Sequence, residues 1–219
     1  MDSEIKINTL KLEVIRSPDI PNLLLPGEFG AVLEIILKDK DGKTIERRVQ
    51  KSQSYLRQML DLLRAMFGGV MEPTLVPVKN TSGSIIWTHS QFNTFAVGAG
   101  IGNQAYGILV GTGNTTPTID DYYLQTVINH GTGPGQLQYG GVSFGAPASD
   151  STTSQFTVTR DFANASGGSI AVNEIALVVL GSRRGATYYI MTIRDVVTGG
   201  IAVTNGQTLT VNYRQQVVC

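Results

Sequence analysis

Cysteine and histidine are scarce in this sequence, which excludes several kinds of site. The single cysteine, Cys219, allows no disulfide within the chain and neither a Cys-rich zinc site nor a CxxC redox motif. The two histidines, His89 and His130, lie about forty positions apart and outside any HExxH motif. Asp120 and Asp121 offer carboxylates for a cation, but neighbouring acidic residues on a loop are commonly only solvated. The sequence therefore predicts no metal site.

Charge is also scarce and evenly balanced. Charged residues make up 16% of the chain, with 17 basic and 17 acidic side chains, so the charge pattern that marks a nucleic-acid-binding protein is missing. No apolar run is long enough to span a bilayer, and charges interrupt residues 2–13, where a secretory signal would be apolar. We expect no specific nucleic-acid partner, no membrane association, and synthesis in a host cytoplasm without a signal peptide.

Two glycine-rich stretches resemble phosphate-binding loops but lack the residues that hold phosphate. VGAGIG at residues 97–102 and VGTGN at residues 110–114 have neither the third glycine of GxGxxG nor the lysine of a Walker loop. No GxSxG motif places a serine nucleophile. The sequence therefore predicts no cofactor, no small-molecule substrate and no catalytic residue. These glycines are expected to serve loops that need positive φ or close backbone approach.

Charge density divides the chain into two regions. Residues 1–72 contain 22 charged side chains, whereas the twice longer segment 73–219 contains 12. We place the boundary near Glu72 to Pro77. Because an exposed surface usually carries about a quarter or more charged residues, region 73–219 is expected to supply most contacts between subunits.

The first region, 1–72, is predicted to be α+β. Residues 10–14 alternate, and a β-rich run at 31–37 is followed by the turn DKDG at 39–42 and a second run at 44–49, which indicates a hairpin. Ser52 is expected to cap an amphipathic helix that ends at Gly68-Gly69. Its apolar face is predicted to pack on a sheet and to consist of Leu56, Met59, Leu60, Leu63 and Phe67.

The second region, 73–219, has the pattern of an antiparallel β-sandwich or jelly roll, in which short β-rich runs alternate with Gly, Asn, Ser and Thr clusters. Phe156, Val158 and Phe162 share one face of their strand. From residue 169 the apolar phase shifts near Asn173, which predicts either a β-bulge or a strand buried on both faces. The predicted strands are 84–88, 94–97, 107–110, 137–144, 155–162, 169–180, 187–197 and 208–217.

Five residues are candidates for structural or interface roles. Arg160, Glu174 and Arg194 fall in predicted strands, where opposite charges pair across strands or between subunits. Asn205-Gly206 separates two β-rich runs and predicts a tight hairpin turn of type I′.

A series of short phrases follows in order through residues 107–214. They are GTGNTTP at 111–117, INHG at 128–131, LQYG at 137–140, FTVTRDF at 156–162, NASG at 164–167, IAVNEI at 170–175, RDV at 194–196 and NGQTLTV at 205–211. This series resembles structural proteins of tailed bacteriophages and related viruses, those found in tails, necks or attached to capsids. The resemblance implies a β-rich building block in a symmetric assembly, with no catalytic residues to carry over.

The expected function is therefore that of a non-enzymatic virion protein. It would assemble with identical copies and with other virion proteins in a capsid, neck or tail. One alternative is an extracellular filament or surface-layer subunit, which normally needs an export signal. A second is a carbohydrate-binding β domain, in which exposed aromatic rings form a sugar platform. The rings available for that platform are Trp87, Tyr122, Tyr123, Tyr188 and Tyr189.

Overall fold

A computed structural model describes residues 23–53, 55–68, 76–88, 93–183 and 185–219, without the side chains of 93–95 and 183. The described chain is mainly β, as the sequence predicts. It contains β1 (Phe29–Lys38), β2 (Thr44–Lys51), α1 (Arg57–Phe67), β3 (Val76–Lys79), β4 (Ile85–Thr88), β5 (Asn93–Ala96), β6 (Gly107–Gly111), β7 (Gln138–Tyr139), β8 (Ser143–Phe144), β9 (Ala148–Ser149), β10 (Thr153–Ala163), β11 (Ile170–Arg183), β12 (Ala186–Val203) and β13 (Thr208–Val218).

The strands form antiparallel sheets. The larger sheet has the order β2-β1-β13-β10, and the short strands β7, β8 and β9 lie along the free edge of β10. In the smaller sheet β11 is central, with β12 on one side and β5 and β6 on the other. β3 and β4 form a separate hairpin. The predicted strand 137–144 is thus two short strands, β7 and β8.

The two main sheets share one hydrophobic core. Leu33 of β1, Val158 of β10 and Val211 of β13 belong to the same buried cluster as Ile175 and Ile193 of the smaller sheet. Side chains also join the sheets directly, since the Tyr213 hydroxyl donates to Asp195 Oδ2 at 2.8 Å. The result is a sandwich of two antiparallel sheets, while the finer jelly-roll assignment stays a prediction.

The boundary predicted near Glu72 to Pro77 lies mostly outside the described residues. The strands on its two sides nevertheless belong to one sheet: β1 pairs with β13 from Phe29↔Val217 to Lys38↔Thr208. The described part of region 1–72 therefore shares its sheet and its core with region 73–219. The predicted strand at 10–14 also lies outside the described residues.

Two local predictions are confirmed. β1 and β2 form the predicted hairpin, in which Asp39 Oδ1 accepts from the backbone N–H of Asp41 and of Lys43 and Gly42 has φ 79°. In β11 the register shifts between Val172 and Glu174, where the bulge was predicted. Both interpretations of β11 are correct, because its consecutive residues 175–179 are also buried.

The predicted apolar face of α1 is only partly correct, since Leu56 at its start is buried as predicted but Leu60 and Phe67 are not. The helix buries Gln58, Leu62 and Ala65, whereas Leu60 is 71% and Phe67 86% exposed. Ser52 is not its cap, and the N-cap position is Leu56, without a side-chain hydrogen bond. Tertiary hydrogen bonds at the start of the helix explain its rotation. The Leu56 N–H donates to Thr192 O, the Arg57 N–H donates to Ile119 O, and Gln58 Nε2 donates to Asp121 O. These bonds turn Gln58 inward, and α1 packs against β12 and β3.

The turn at Asn205-Gly206 exists, but it does not join two paired strands. Gly206 has φ 86°, and the Gln207 N–H donates to Thr204 O at 3.0 Å, so a tight turn forms. However, β12 pairs with β11 in the smaller sheet, and β13 pairs with β1 and β10 in the larger one. The hairpin prediction is therefore corrected to a turn that carries the chain from one sheet to the other.

The helical segment of the described chain is too short and too polar to cross a membrane.

Candidate functional site

Arg160 is fully buried and is bound by backbone carbonyl oxygens. Its guanidinium donates to Gly140 O at 2.8 Å and to Ile108 O at 2.9 Å, and further bonds reach Tyr106 O, Gly100 O and Asn103 O. It also lies over the ring of Tyr139. Burial lowers the pKa of Arg160 to about 10, which leaves it charged at neutral pH. Arg160 therefore holds loops of its own chain together.

Glu174 and Arg194 form a buried ion pair on β11 and β12. Arg194 donates through Nε and Nη2 to Glu174 Oε2 at 3.1 and 2.9 Å. The Glu174 carboxylate also accepts the backbone N–H groups of Gly113, Gln125 and Thr126, so it ties the loop that follows β6 to the smaller sheet. Both side chains are almost completely inaccessible to solvent. Their pairing is within the chain, which was one of the two roles predicted for them.

Asp121 completes this network. Its Oδ2 lies 2.7 Å from Arg194 Nη1. Burial by itself raises the pKa of Asp121, but hydrogen bonds from the Thr118 N–H and hydroxyl and from Arg194 together hold it below its ordinary value. The Asp120 carboxylate lies 3.4 Å from Arg57 Nη1. Both carboxylates considered for a cation thus have basic partners, and no cluster of three potential metal ligands occurs among the described residues.

Asp195 is a buried charged residue that the sequence analysis did not select. It accepts from the Ser52 hydroxyl at 2.9 Å, from the Gln53 N–H and from the Tyr213 hydroxyl. Burial raises the pKa of Asp195 to about 6. Ser52, predicted as a helix cap, therefore binds this carboxylate instead. Its position in the sequence, beside Arg194 within a long apolar strand, is a signal that could have identified it.

The glycine loops serve the fold through these buried charges. Gly100 O accepts from Arg160, and the Gly113 N–H donates to Glu174. A Cβ on Gly113 would stand 2.5 Å from Glu174 Oε1 and 2.4 Å from the Gln125 Cβ, so no larger residue fits there. The predicted need for close backbone approach is confirmed at Gly113.

The aromatic residues considered for a sugar platform do not share one role. Tyr188 and Tyr189 are partly buried against the core, and Tyr189 stacks on Tyr106. Tyr122 contacts Tyr123, and Lys79 Nζ lies over the Tyr122 ring at 3.7 Å. His130 accepts the Tyr139 N–H through Nδ1, whereas His89 lies outside the described residues.

One end of the sandwich is open and apolar. By strand alternation, Phe29 of β1, Phe156 of β10 and Val217 of β13 are on the same face of their strands as the core residues Ala31, Val158 and Tyr213, yet they are between 41% and 58% exposed. Phe144 of β8 is also more than half exposed. We call these four side chains the open end. They continue the inner face of the larger sheet beyond the edge of the smaller sheet, which packs on the rest of that face.

A pocket of about 170 Å³ leads from this rim into the space between the sheets. Phe29, Phe144 and Phe156 form its outer wall, and Leu177 and Val179 form its opposite wall. Its described lining carries no charge. An apolar cavity of about 150 Å³ is large enough to bind benzene, so this one accommodates an aliphatic or aromatic side chain.

The polar residues in the described lining of this pocket are Gln215, Tyr55 and Thr192, and the Thr192 hydroxyl donates to Leu177 O at 3.0 Å. Gln215 is only 7% exposed, and its Oε1 accepts the Tyr55 hydroxyl, whose ring stacks on Phe29. Its Nε2 has no hydrogen-bond partner among the described residues. A buried, unpaired amide N–H is unfavourable unless an acceptor arrives. The site thus combines an apolar cavity with one free donor.

The pattern of the sequence revealed part of this site. The alternation of Phe156 and Val158 correctly predicts that they share a face, but alternation does not tell where the opposing sheet ends.

A scan against family models, a search of the curated proteins and a search of the solved structures each gave no match.

Proposed function

We propose that this protein is a non-enzymatic structural subunit of a virion, located in the capsid, neck or tail. It assembles with identical copies and with neighbouring virion proteins. The resemblance of residues 107–214 to phage structural proteins supports the setting. The observation that carries the assembly role is the open end, whose apolar rim belongs to the inner face of a sheet.

Exposed apolar patches of this kind are unfavourable in water and mark surfaces that another molecule covers. The buried charged groups, in contrast, are engaged within the chain. Arg160 is bound by carbonyl oxygens, and Glu174 is bound by Arg194 and three backbone N–H groups. These groups therefore stabilise the subunit, and the open end is an exposed apolar surface available for assembly.

The test is the oligomeric state of the full chain, measured by sedimentation and mass photometry, together with imaging of the native particle. We expect a symmetric oligomer that dissociates when Phe156→Asp places a charge at the open end. Ile85→Asp is the matched control, because Ile85 is 55% exposed on β4, away from the pocket lining. A chain that stays monomeric at high concentration and does not occur in a particle would refute the proposal.

A further inference from the structure

Ile101 is an exposed apolar side chain on a tight turn. It is 85% exposed, and the turn closes with a hydrogen bond from the Asn103 N–H to Gly100 O. Gly102, at φ 75°, supplies the left-handed conformation that the turn requires. The stretch from Val97 to Tyr106 contains no charged residue. The turn therefore presents one aliphatic group on a neutral surface.

The turn is held rigid from below. Arg160 Nη2 donates to Gly100 O and to Asn103 O at the two ends of the turn, and the Gly102 N–H donates to Tyr139 O at 2.9 Å. Because the anchoring guanidinium is buried, the backbone that carries Ile101 is held in place before any partner binds. A preorganised group loses little conformational entropy on binding, which favours its use as a contact.

Ile101 lies beside the mouth of the pocket. Its Cγ1 is 3.6 Å from where a Cβ on Gly141 would stand, and Gly141 precedes the rim residue Phe144 by three positions. Val97, which lines the pocket, precedes Ile101 by four positions, a separation of at most about 14 Å along an extended chain. The projecting side chain and the cavity are therefore on the same part of the molecule.

We propose that the open end is a two-fold dimer interface, in which Ile101 of each copy enters the pocket of the other. This inference rests on the assembly role proposed above. A two-fold interface uses the same surface of both subunits, so a projecting group and a cavity that lie side by side satisfy each other twice.

The chemistry of the two surfaces favours a second copy as the occupant. The turn and the described pocket lining are both uncharged, so the contact buries no ion and avoids the large cost of desolvating one. The rim of Phe29, Phe144, Phe156 and Val217 then closes around the turn and excludes water.

The decisive experiment compares charged variants of the full chain. Ile101→Lys and Phe156→Glu should each weaken dimerisation at least tenfold, since each places an unpaired charge in an apolar contact. The double variant should recover most of the affinity, because a lysine of one copy then meets a glutamate of the other at both contacts. Ile119→Lys is the control for a surface charge, as Ile119 is 64% exposed and outside the pocket lining. The readout is the dimer dissociation constant from sedimentation equilibrium.

A cross-linking experiment keeps the test independent of the stability of the Phe156 variant. In a Cys219→Ser background, Ile101→Cys combined with Phe156→Cys should give a disulfide-linked dimer on oxidation with copper phenanthroline. The chain that carries only Ile101→Cys should give much less. Cross-linking only within single chains would overturn the two-fold arrangement.

The outcomes separate this inference from the proposed function. An oligomer that forms equally well with Ile101→Lys overturns the dimer contact and leaves the assembly role intact. If Phe156→Glu disrupts assembly but Ile101→Lys does not, the open end is used in assembly but Ile101 does not enter the pocket, and the inference fails. A chain that is monomeric at every concentration overturns the dimer contact, and it overturns the assembly role as well if the chain is also absent from the native particle.

Discussion

The buried charged groups and the open end differ in whether their side chains find partners within the chain. Each buried charge has its partners within the chain: Arg160 binds backbone carbonyls, Glu174 binds Arg194, and Asp195 binds two hydroxyls and an N–H. At the open end the apolar rim is exposed and the Gln215 amide has a free donor among the described residues. We therefore assign the buried charged groups to the stability of the fold and the open end to association between molecules.

The largest effect on stability is expected from Arg194→Met, which leaves Glu174 buried without its counterion. Removing one partner of a buried ion pair costs about 3–5 kcal/mol of unfolding free energy. Urea unfolding measures this loss. Arg57→Met is the matched control, because the ion pairs of Arg57 with Asp61 and Asp120 are exposed and contribute less than about 1 kcal/mol. Equal losses in the two variants would contradict the assignment of the buried pair to stability.

Asp195 is expected to make the stability of the fold depend on pH. Burial raises its pKa from the ordinary 3.8 to about 6. Between these values the folded chain keeps a proton that the unfolded chain has released, so the contribution of Asp195 to stability falls as the pH rises. The change is about 2 kcal/mol between pH 4 and pH 6.5.

The variant Asp195→Asn has no such titration. Relative to the wild type, it should therefore become more stable by about this amount as the pH rises through the same window. Urea unfolding of both proteins at pH 4 and at pH 6.5 isolates the difference, since the other carboxylates are common to both chains. A difference in stability that does not change with pH would show that folding does not raise the pKa of Asp195.

A smaller loss of unfolding free energy is expected from Gly206→Val in the turn between the two sheets. Gly206 has φ 86°, where a β-branched residue is strained by about 1–3 kcal/mol. Gly168→Val is the control, because Gly168 does not have a positive φ and no atom lies within 4 Å of the position of its added Cβ. The midpoint of thermal unfolding should fall for Gly206→Val and change little for Gly168→Val.

The smallest effect on stability is expected at the open end. Gln215→Met removes the hydrogen bond from Tyr55 but also removes the unpaired N–H, so the two changes nearly cancel and unfolding free energy shifts by less than about 1 kcal/mol. Urea unfolding of the variant at low concentration gives the value. A loss above about 2 kcal/mol would mean that this amide contributes to stability as the buried charges do.

Local sequence patterns were sufficient for most of the strands. The Asp39 to Gly42 turn, the bulge before Glu174 and the alternation in β10 depend on neighbouring residues, and each lies where the sequence predicted it. For the same reason the positive φ of Gly206 was predictable. The pairing of Glu174 with Arg194 was also among the predicted roles, since charges in buried strands require partners.

What the sequence determined by itself was the mainly β, antiparallel character of the chain, because strands and turns are encoded by residues close together. Only the tertiary structure decided the rotation of α1, the placement of β12 and β13 in different sheets, and the position of the open end. These features depend on contacts between distant segments: Leu56 with Thr192 turns the helix, and β1 with β13 unites the two compositional regions. Phe156 is likewise exposed because the opposing sheet ends before it, and the extent of that sheet cannot be predicted from the residues around Phe156.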